Sequence, residues 1–235
     1  MRLGDRIRWD LRRLYHQLRK VLLRARIGDR WVDSGEVKRR IYPDYESYTA
    51  HQRTKFSAQR SARVIAHDRA FHEALSSRLR AMEHDFAGAR VLCLGARQGT
   101  EVRCFIECGA FAVGIDLNPG PSNRYVVTGD FHELQFANQS IDVVFTNSLD
   151  HAFDLSRILA EARRVLRPDG LLLVEANAAE EGGASAGPYE ALAWSSPEVL
   201  ARQVERAGFT RIDQRDFELP WRGVQFVFRA GLPEG

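Results

Sequence analysis

Gly95, Gly99 and Asp116 have the residue types and the spacing of a ligand-binding turn. The two glycines punctuate the turn that follows one apolar run, and the aspartate ends the next apolar run. In strand–helix–strand units of this kind the glycines let the backbone approach a ligand, while the acid accepts hydrogen bonds from ribose hydroxyls. The spacing therefore predicts a pocket for a nucleotide-like cofactor.

Alternating strand and helix patterns surround this turn and predict the elements that position it. Strand-like runs recur at RYVVT, IDVVFTN and GLLLVEA, and the helix-like DLSRILAEARRVL precedes the last of these. Near-continuous apolar strands separated by helices are typical of a parallel sheet buried on both faces. A further helix, capped by Ser196, leads to the runs TRIDQRDFEL and GVQFVFRAG, which predict a terminal hairpin at the sheet edge. We therefore expect an α/β fold with a doubly wound sheet.

Residues 1–30 predict a basic amphipathic helix, because apolar residues recur at three- and four-residue steps and arginines fill most other positions. Such a helix could pack on the rest of the chain or on a second copy, or lie on anionic lipid. Nucleic acid is a third and weaker alternative, because no RNA-binding signature accompanies the arginines.

Residues 31–57 show no sustained period and are interpreted as a linker or a substrate-side cover. Their tyrosines Tyr42, Tyr45 and Tyr48 either line a pocket mouth or pack the segment onto the core. Helical spacing returns at about residue 59. We therefore divide the chain into an N-terminal extension, 1–57, and a domain, 58–235.

Composition narrows the class of protein. The chain has 235 residues, a net charge of +3 and three cysteines. The cysteines lie inside apolar patterns, which favours buried thiols over disulfides, and their spacing supplies no complete ligand set, so no metal site is expected. No apolar run approaches the roughly 18 residues of a membrane span, and the N-terminus lacks the apolar stretch of a secretory signal. We expect a cytoplasmic protein, with peripheral membrane contact through residues 1–30 as an alternative.

Over roughly residues 89–229 the chain resembles the class I S-adenosylmethionine-dependent methyltransferases, in particular the type 11 group. The resemblance rests on an ordered set of motifs: VLCLGARQGTEV, VGIDLNP, VTGDFHELQFANQSIDVVFTNSLDH, EARRVLRPDGLLLV and a late AGF. It implies a Rossmann-like, seven-stranded sheet whose last strand is antiparallel, with S-adenosylmethionine as the cofactor and methyl transfer as the activity.

The resemblance also implies site residues. Asp116 would bind the ribose hydroxyls, Leu117 would lie beside adenine, and Asp130 would accept a hydrogen bond from the adenine amino group. The complete implied cofactor set is Gly95, Ala96, Arg97, Gly99, Asp116, Leu117, Asp130, Phe131 and Asn147.

On the acceptor side, His151 is either a general base or a residue that shapes the pocket. Asp150, Tyr189 and Trp194 are candidate acceptor contacts, although the two aromatic residues could equally pack their loop onto the sheet. The glycine- and alanine-rich loop 175–194 is interpreted as a mobile lid.

Cys93 and Arg97 depart from the pattern of the family. Cys93 stands where an acid is often found, so the cofactor's ammonium loses a direct charge partner unless another group compensates. Arg97 stands where the middle glycine of the loop is expected. Its guanidinium would either lower the affinity for the cofactor or bind the cofactor's carboxylate, which guanidinium groups match in a bidentate manner.

The predicted function is methyl transfer to an oxygen or nitrogen of a small-molecule, lipid-linked or glycan acceptor. Nucleic-acid amino groups are disfavoured, because TNSLDH has no Asn-Pro-Pro-Tyr type signature. A nicotinamide-dependent oxidoreductase is a weak alternative, since Thr100 stands where the third glycine of that fingerprint belongs. The alternative from another class is a non-catalytic adaptor that docks a partner or a membrane through residues 1–30. No oligomeric state is predicted.

Overall fold

The computed structural model describes residues 30–55, 62–120, 122–178 and 187–231. The amphipathic helix predicted for the N-terminus lies outside these residues except for Arg30. The strands are β1 (Trp31–Asp33), β2 (Val37–Arg40), β3 (Arg90–Leu94), β4 (Phe111–Asp116), β5 (Val126–Thr128), β6 (Ile141–Thr146), β7 (Leu166–Asn177), β8 (Leu192–Trp194), β9 (Phe209–Phe217) and β10 (Gly223–Ala230). The helices are α1 (Tyr45–Arg53), α2 (Ala62–Arg80), α3 (Thr100–Glu107), α4 (Leu155–Val165) and α5 (Pro197–Arg206), with a 3₁₀ turn at Leu149–His151.

Seven strands form one sheet in the order β5-β4-β3-β6-β7-β10-β9. Strands β3 to β7 pair in parallel, whereas β10 runs antiparallel to both β7 and β9. The predicted sheet, its antiparallel last strand and the terminal hairpin are therefore confirmed.

Helices cover both faces of this sheet, as the side chains of β3 show. Val91 and Cys93 pack with apolar residues of α2 and α3, whereas Leu92 and Leu94 pack with those of α4 and α5. Successive side chains of a strand point to opposite faces, so a strand covered on both sides must be apolar at every position. This burial explains why β3 is a continuous apolar run.

Local signals account for the boundaries of two helices. Asp154 caps α4, because its carboxylate accepts a hydrogen bond from the backbone amide of Arg157 at 3.1 Å. Helix α5 begins at Pro197 as predicted, but the side chain of Ser196 makes no capping hydrogen bond. Proline at the first helical position fits this start without that bond, because its missing N–H is one that a helix leaves unpaired.

The segment that the sequence assigned to a linker or cover contains regular structure. Strands β1 and β2 form a hairpin, and β2 pairs with β8 in a separate three-stranded sheet. Helix α1 follows, capped by Asp44, which accepts from the amide of Ser47 at 2.7 Å. The linker interpretation was wrong because these strands have three or four residues and are stabilised by β8, far away in sequence. Tyr42 and Tyr48 are buried and pack the segment onto the core.

The three cysteines are free thiols. Cys93 and Cys104 are completely buried, as predicted, and Cys108 is partly exposed. Burial raises the pKa of Cys104 to about 11. Within the described part of the chain, no group of three or more metal-ligating side chains converges, and no helix has the length and hydropathy to cross a bilayer.

A buried ion pair fastens α2 to the end of β7. The guanidinium of Arg78 donates to both carboxylate oxygens of Glu175, at 2.9 and 3.1 Å. The side-chain amide of Gln225 on β10 donates to the same carboxylate at 3.0 Å. The side chain of Glu175 is fully buried, and burial raises its pKa. The carboxylate is thus removed from water and depends on these two donors.

Candidate active site

A cavity of about 600 Å³ lies at the carboxyl edge of the seven-stranded sheet. The turn after β3, the residues after β6, the end of β7, strand β8 and the loop before β10 form its walls. Among the predicted site residues, it is lined by Gly95, Ala96, Arg97, Asn147, Asp150, His151 and Trp194. This edge is where open α/β sheets bind ligands.

A smaller cavity of about 60 Å³ adjoins the first. Gly95, Arg97, Ser148 and His151 line both cavities. The small cavity also contains three of the residues predicted to hold a nucleoside, Asp116, Leu117 and Phe131. Most of the predicted cofactor and acceptor residues therefore line two cavities that share wall residues.

A larger groove of about 1130 Å³ lies elsewhere, between β2, α4 and α5. It includes residues at the start of β7, on the opposite edge of the sheet from the turn after β3, and none of the predicted site residues lines it. Because ligands of open α/β sheets bind at the carboxyl edge, we assign the site to the two smaller cavities.

The turn after β3 has the backbone that its glycines predict. Gly95 and Gly99 have φ values of 67° and 79°, in the left-handed region. A Cβ at Gly95 would lie 2.8 Å from the Cβ of Ser148, a residue that lines both cavities as Gly95 does. At Gly99 the obstacle is Tyr125, whose Cβ would be 2.6 Å away. Gly95 thus keeps the cavity open, whereas Gly99, which does not line either cavity, permits close packing behind it.

Arg97 occupies the third left-handed position of the same turn, with a φ of 42°. This conformation is unfavourable for a residue with a Cβ. Arg97 lines both cavities. Its charge adds to the burial that lowers the pKa of Lys55 and partly opposes the burial that raises the pKa of Glu101. The charge of Arg97 therefore affects the ionisable groups of the site.

Asp116 ends β4 at the floor of the small cavity. One carboxylate oxygen accepts from the amide of Arg97 at 3.1 Å, and the other accepts from the amide of Asn118 at 2.8 Å. Each carboxylate oxygen can accept a second hydrogen bond. The two backbone amides thus fix the orientation of a carboxylate that retains the capacity to bind vicinal hydroxyls.

Asp130 is placed differently from the prediction. Its carboxylate accepts hydrogen bonds from the hydroxyl of Tyr45 and from the amide and ring of His132, both at 2.9 Å. The His132 ring donates through Nδ1, because its Nε2 accepts from the amide of Asp154 at 3.1 Å. Although burial alone would raise it, these bonds hold the pKa of Asp130 below its usual value. Asp130 lines neither cavity and fastens α1 to the sheet, while its neighbour Phe131 lines the small cavity.

His151 is partly buried and lines both cavities. Its Nδ1 donates to the carbonyl of Tyr189 at 3.0 Å, so the lone pair is on Nε2, which the ammonium of Lys55 approaches. Burial lowers the pKa of His151, with Lys55 and Arg97 contributing. Burial, together with Arg97, also lowers the pKa of Lys55 to about 8. The imidazole is therefore neutral, and its basic nitrogen is occupied by a cation.

Two carboxylates lie near this histidine. Asp150 has one buried oxygen, 3.7 Å from His151 Nε2, that makes no hydrogen bond within the described structure. Glu190 lines the same cavity, and burial together with the charge of Asp150 raises its pKa to about 6. This end of the cavity therefore carries two acids beside one lysine.

The two predicted aromatic contacts are separated by the structure. Trp194 lines the cavity of about 600 Å³, which is called the large cavity below. The ring of Tyr189 lines neither cavity and stacks on His51, with 5.2 Å between ring centroids. Its backbone carbonyl, and not its ring, contacts the site through His151 and the side-chain amide of Gln52, which donates at 2.8 Å. Residues 179–186 of the loop predicted as a lid lie outside the described residues, and its two ends belong to β7 and β8.

Among the ionisable residues that sequence reasoning missed in the site are Lys55, Glu101 and Glu190. Lys55 follows α1 and reaches the site only because that helix folds back over the sheet edge. Glu101 lies two residues after Gly99, in the first turn of α3, and that spacing was the one available signal for it. Glu190 precedes β8, a strand that was not predicted.

Residues 92–174 match the family model described as a methyltransferase domain. The chain is 34% identical over 98 residues to malonyl-(acyl-carrier protein) O-methyltransferase 1 of Coxiella burnetii (strain RSA 493 / Nine Mile phase I), a match that covers 38% of this chain. The chain spans 35% of the length of that relative.

Solved structures share the fold at low sequence identity. The Burkholderia thailandensis 1,6-didemethyltoxoflavin-N1-methyltransferase, solved with 1,6-didemethyltoxoflavin and S-adenosylhomocysteine, aligns with a TM-score of 0.67 and 22% identity over 86% of this chain and 99% of that chain. A Haloferax volcanii protein, solved in complex with the Trm112 methyltransferase activator, aligns with a TM-score of 0.58 and 19% identity over 82% and 100% of the two chains.

Proposed function

We propose that this chain, a class I methyltransferase of the type 11 group by its sequence domain and its fold, transfers the methyl group of S-adenosylmethionine to an oxygen or nitrogen of a small-molecule acceptor. The observation that carries the proposal is the position of Asp116. Its carboxylate ends β4 beside Leu117 and Phe131 and next to the turn at Gly95, where a nucleoside can be held by its ribose hydroxyls.

The residues of the site fit the parts of this cofactor. Ile115, Leu117 and Phe131 offer apolar contact for a purine beside the ribose site at Asp116. The charged Arg97 lies where the amino-acid portion of the cofactor would continue into the large cavity, whose 600 Å³ is within the usual range of about 300–1,000 Å³ for ligand pockets. The 60 Å³ beside Asp116 is smaller than a nucleoside, so binding requires the side chains of Gln52 and Lys55 to move outward.

The bound cofactor would supply an electrophilic methyl group, which is transferred in a single in-line displacement. This chain has to position the acceptor and, for a protonated acceptor, to take up its proton. His151 is suitably placed, but its Nε2 can act as a base only when Lys55 has moved away, which links proton uptake to the same displacement that admits the nucleoside. Asp150 and Trp194 complete the acceptor wall in this proposal.

The names of the similar proteins do not decide whether the methyl group goes to oxygen or to nitrogen. One similar protein is named as an O-methyltransferase and another as an N-methyltransferase. Both acids at the end of the large cavity, Asp150 and Glu190, favour an acceptor that presents hydrogen-bond donors, such as hydroxyl or amino groups. We therefore retain oxygen and nitrogen acceptors and leave lipid-linked and glycan molecules as special cases.

Replacing Asp116 with alanine tests the cofactor site. We expect S-adenosylmethionine to bind about 10–100-fold more weakly, because hydrogen bonds from the ribose hydroxyls to a carboxylate are lost. Isothermal titration calorimetry measures this change. Asp216→Ala, an exposed position on β9 at the far edge of the sheet, is the matched control and should bind as the wild type does. Wild-type protein that takes up no S-adenosylmethionine at millimolar concentration would favour the adaptor alternative.

Replacing Arg97 with alanine tests the carboxylate of the cofactor. We expect about tenfold weaker binding of S-adenosylmethionine, because a charge-assisted contact is removed. Binding of 5′-methylthioadenosine, which has the nucleoside and the sulfur but no amino-acid portion, should be unchanged in the same titrations. Equal or tighter binding of S-adenosylmethionine by the variant would show that Arg97 makes no such contact.

A further inference from the structure

We propose that Glu101 supplies the carboxylate that binds the ammonium group of the cofactor's amino-acid portion, in place of the acid that Cys93 replaces. This assignment rests on the proposed function and concerns a residue that the sequence pattern did not indicate. Glu101 lies in the first turn of α3, immediately after the glycine turn, and lines the large cavity together with Gly95, Ala96 and Arg97.

The position of Glu101 matches that of the missing acid. Cys93 is fully buried near the end of β3, and burial raises the pKa of its thiol, with the charge of Glu101 adding to the rise. The two residues flank the glycine turn, because Cys93 belongs to the strand before it and Glu101 to the helix after it. A carboxylate from α3 can thus reach the space that an acid at position 93 would serve.

The environment of Glu101 is that of a carboxylate without a resident cation. The residue is 7% exposed, and burial raises the pKa of its carboxyl to about 8. Its own backbone amide and the charge of Arg97 partly oppose this rise. A buried carboxyl gains most from a ligand that brings a positive charge, because the ligand replaces the solvation that burial removed.

The other acids that line the cavity have different surroundings. Asp68 is held by the guanidinium of Arg103 at 2.9 Å and by the hydroxyl of Thr100. Asp150 and Glu190 lie at the His151 end, on the acceptor side. Among the described residues that line the large cavity, Glu101 is therefore the acid that adjoins the glycine turn and has no partner of opposite charge within ion-pair distance.

Glu101→Gln tests the assignment by calorimetry. We expect binding of S-adenosylmethionine to weaken about tenfold, whereas binding of 5′-methylthioadenosine stays within about twofold of the wild type, since that probe has no ammonium group. Asp216→Asn, which removes an exposed acid on β9 outside the site, should leave the affinity for both probes unchanged. A purely structural role of Glu101 would change the affinity for both probes alike.

Proton release gives a second readout that does not depend on the folding of the variant. At pH 7 the carboxyl of Glu101 is mostly protonated, so binding of an ammonium should release close to one proton in the wild type. Titrations in buffers of different ionisation enthalpy measure this number, and 5′-methylthioadenosine should release none. Wild-type protein that binds S-adenosylmethionine without releasing a proton, or a Glu101→Gln variant with wild-type affinity, would overturn the assignment. Wild-type protein that binds neither probe would instead overturn the proposed function from which it follows.

Discussion

Replacing Arg78 with alanine is expected to lower the free energy of unfolding by about 3–5 kcal/mol, the largest effect that we predict for a single substitution. The substitution leaves the fully buried Glu175 with the amide of Gln225 as its remaining donor. A buried carboxylate without its cation is costly, whereas an exposed ion pair contributes little. Urea titration at pH 7 measures the change.

Arg69→Ala is the matched control for this experiment. It removes another arginine of α2 that pairs with a glutamate, Glu73, but both side chains are largely exposed. We expect no measurable loss of stability. The loss in Arg78→Ala should also shrink at low pH, because burial raises the pKa of Glu175 and protonation removes the unpaired charge. Equal destabilisation by the two alanines would contradict a buried ion pair.

Replacing Glu101 with glutamine is expected to stabilise the ligand-free protein at alkaline pH by roughly 2–4 kcal/mol. Burial raises the pKa of this carboxyl from 4.5 to about 8, so the folded protein binds more protons than the unfolded chain between these two values. The wild type therefore loses stability as the pH rises through this window, and the glutamine variant avoids that loss. Urea titrations at pH 5 and pH 8 should show a small difference at the lower pH and a large one at the higher.

Glu73→Gln, on the exposed face of α2, should change the stability little at either pH and so serves as the control. A pH-independent difference between the wild type and Glu101→Gln would show that the carboxyl titrates normally in the folded state. A residue that destabilises the empty protein but binds the ligand is an ordinary compromise between stability and function.

The main sheet and its cofactor turn could be predicted because their signals are local in sequence. Continuous apolar runs identify strands such as β3 and β6, and the spacing from Gly95 to Asp116 identifies the turn and the acid. Side chains at the ends of adjacent parallel strands must meet at one sheet edge. This rule accounts for the position of Asn147 and His151, which follow β6 and line the cavity at that edge.

The rest of the site depends on pairings between distant segments, which the sequence pattern does not encode. Lys55 reaches His151 because α1 is anchored by Tyr45 and Tyr48, whose hydroxyls bond to Asp130 and to the carbonyl of His151. The hydrogen bond from Tyr45 also holds Asp130 at a position outside both cavities. Short strands such as β2 and β8 have too few residues to show a period and are recognisable only as partners.

The pairing of β2 with β8 links the N-terminal hairpin to the acceptor wall of the proposed site. Arg40 of β2 donates to the carbonyl of Glu190 at 2.9 Å and to that of Gly187 at 3.2 Å, so the N-terminal hairpin holds one wall of the cavity in place. Under the proposed function, acceptor selectivity therefore depends on two stretches that are about 150 positions apart in sequence. Replacement of the hairpin alone during evolution would therefore change which acceptors fit, while the residues proposed to bind the nucleoside stay the same.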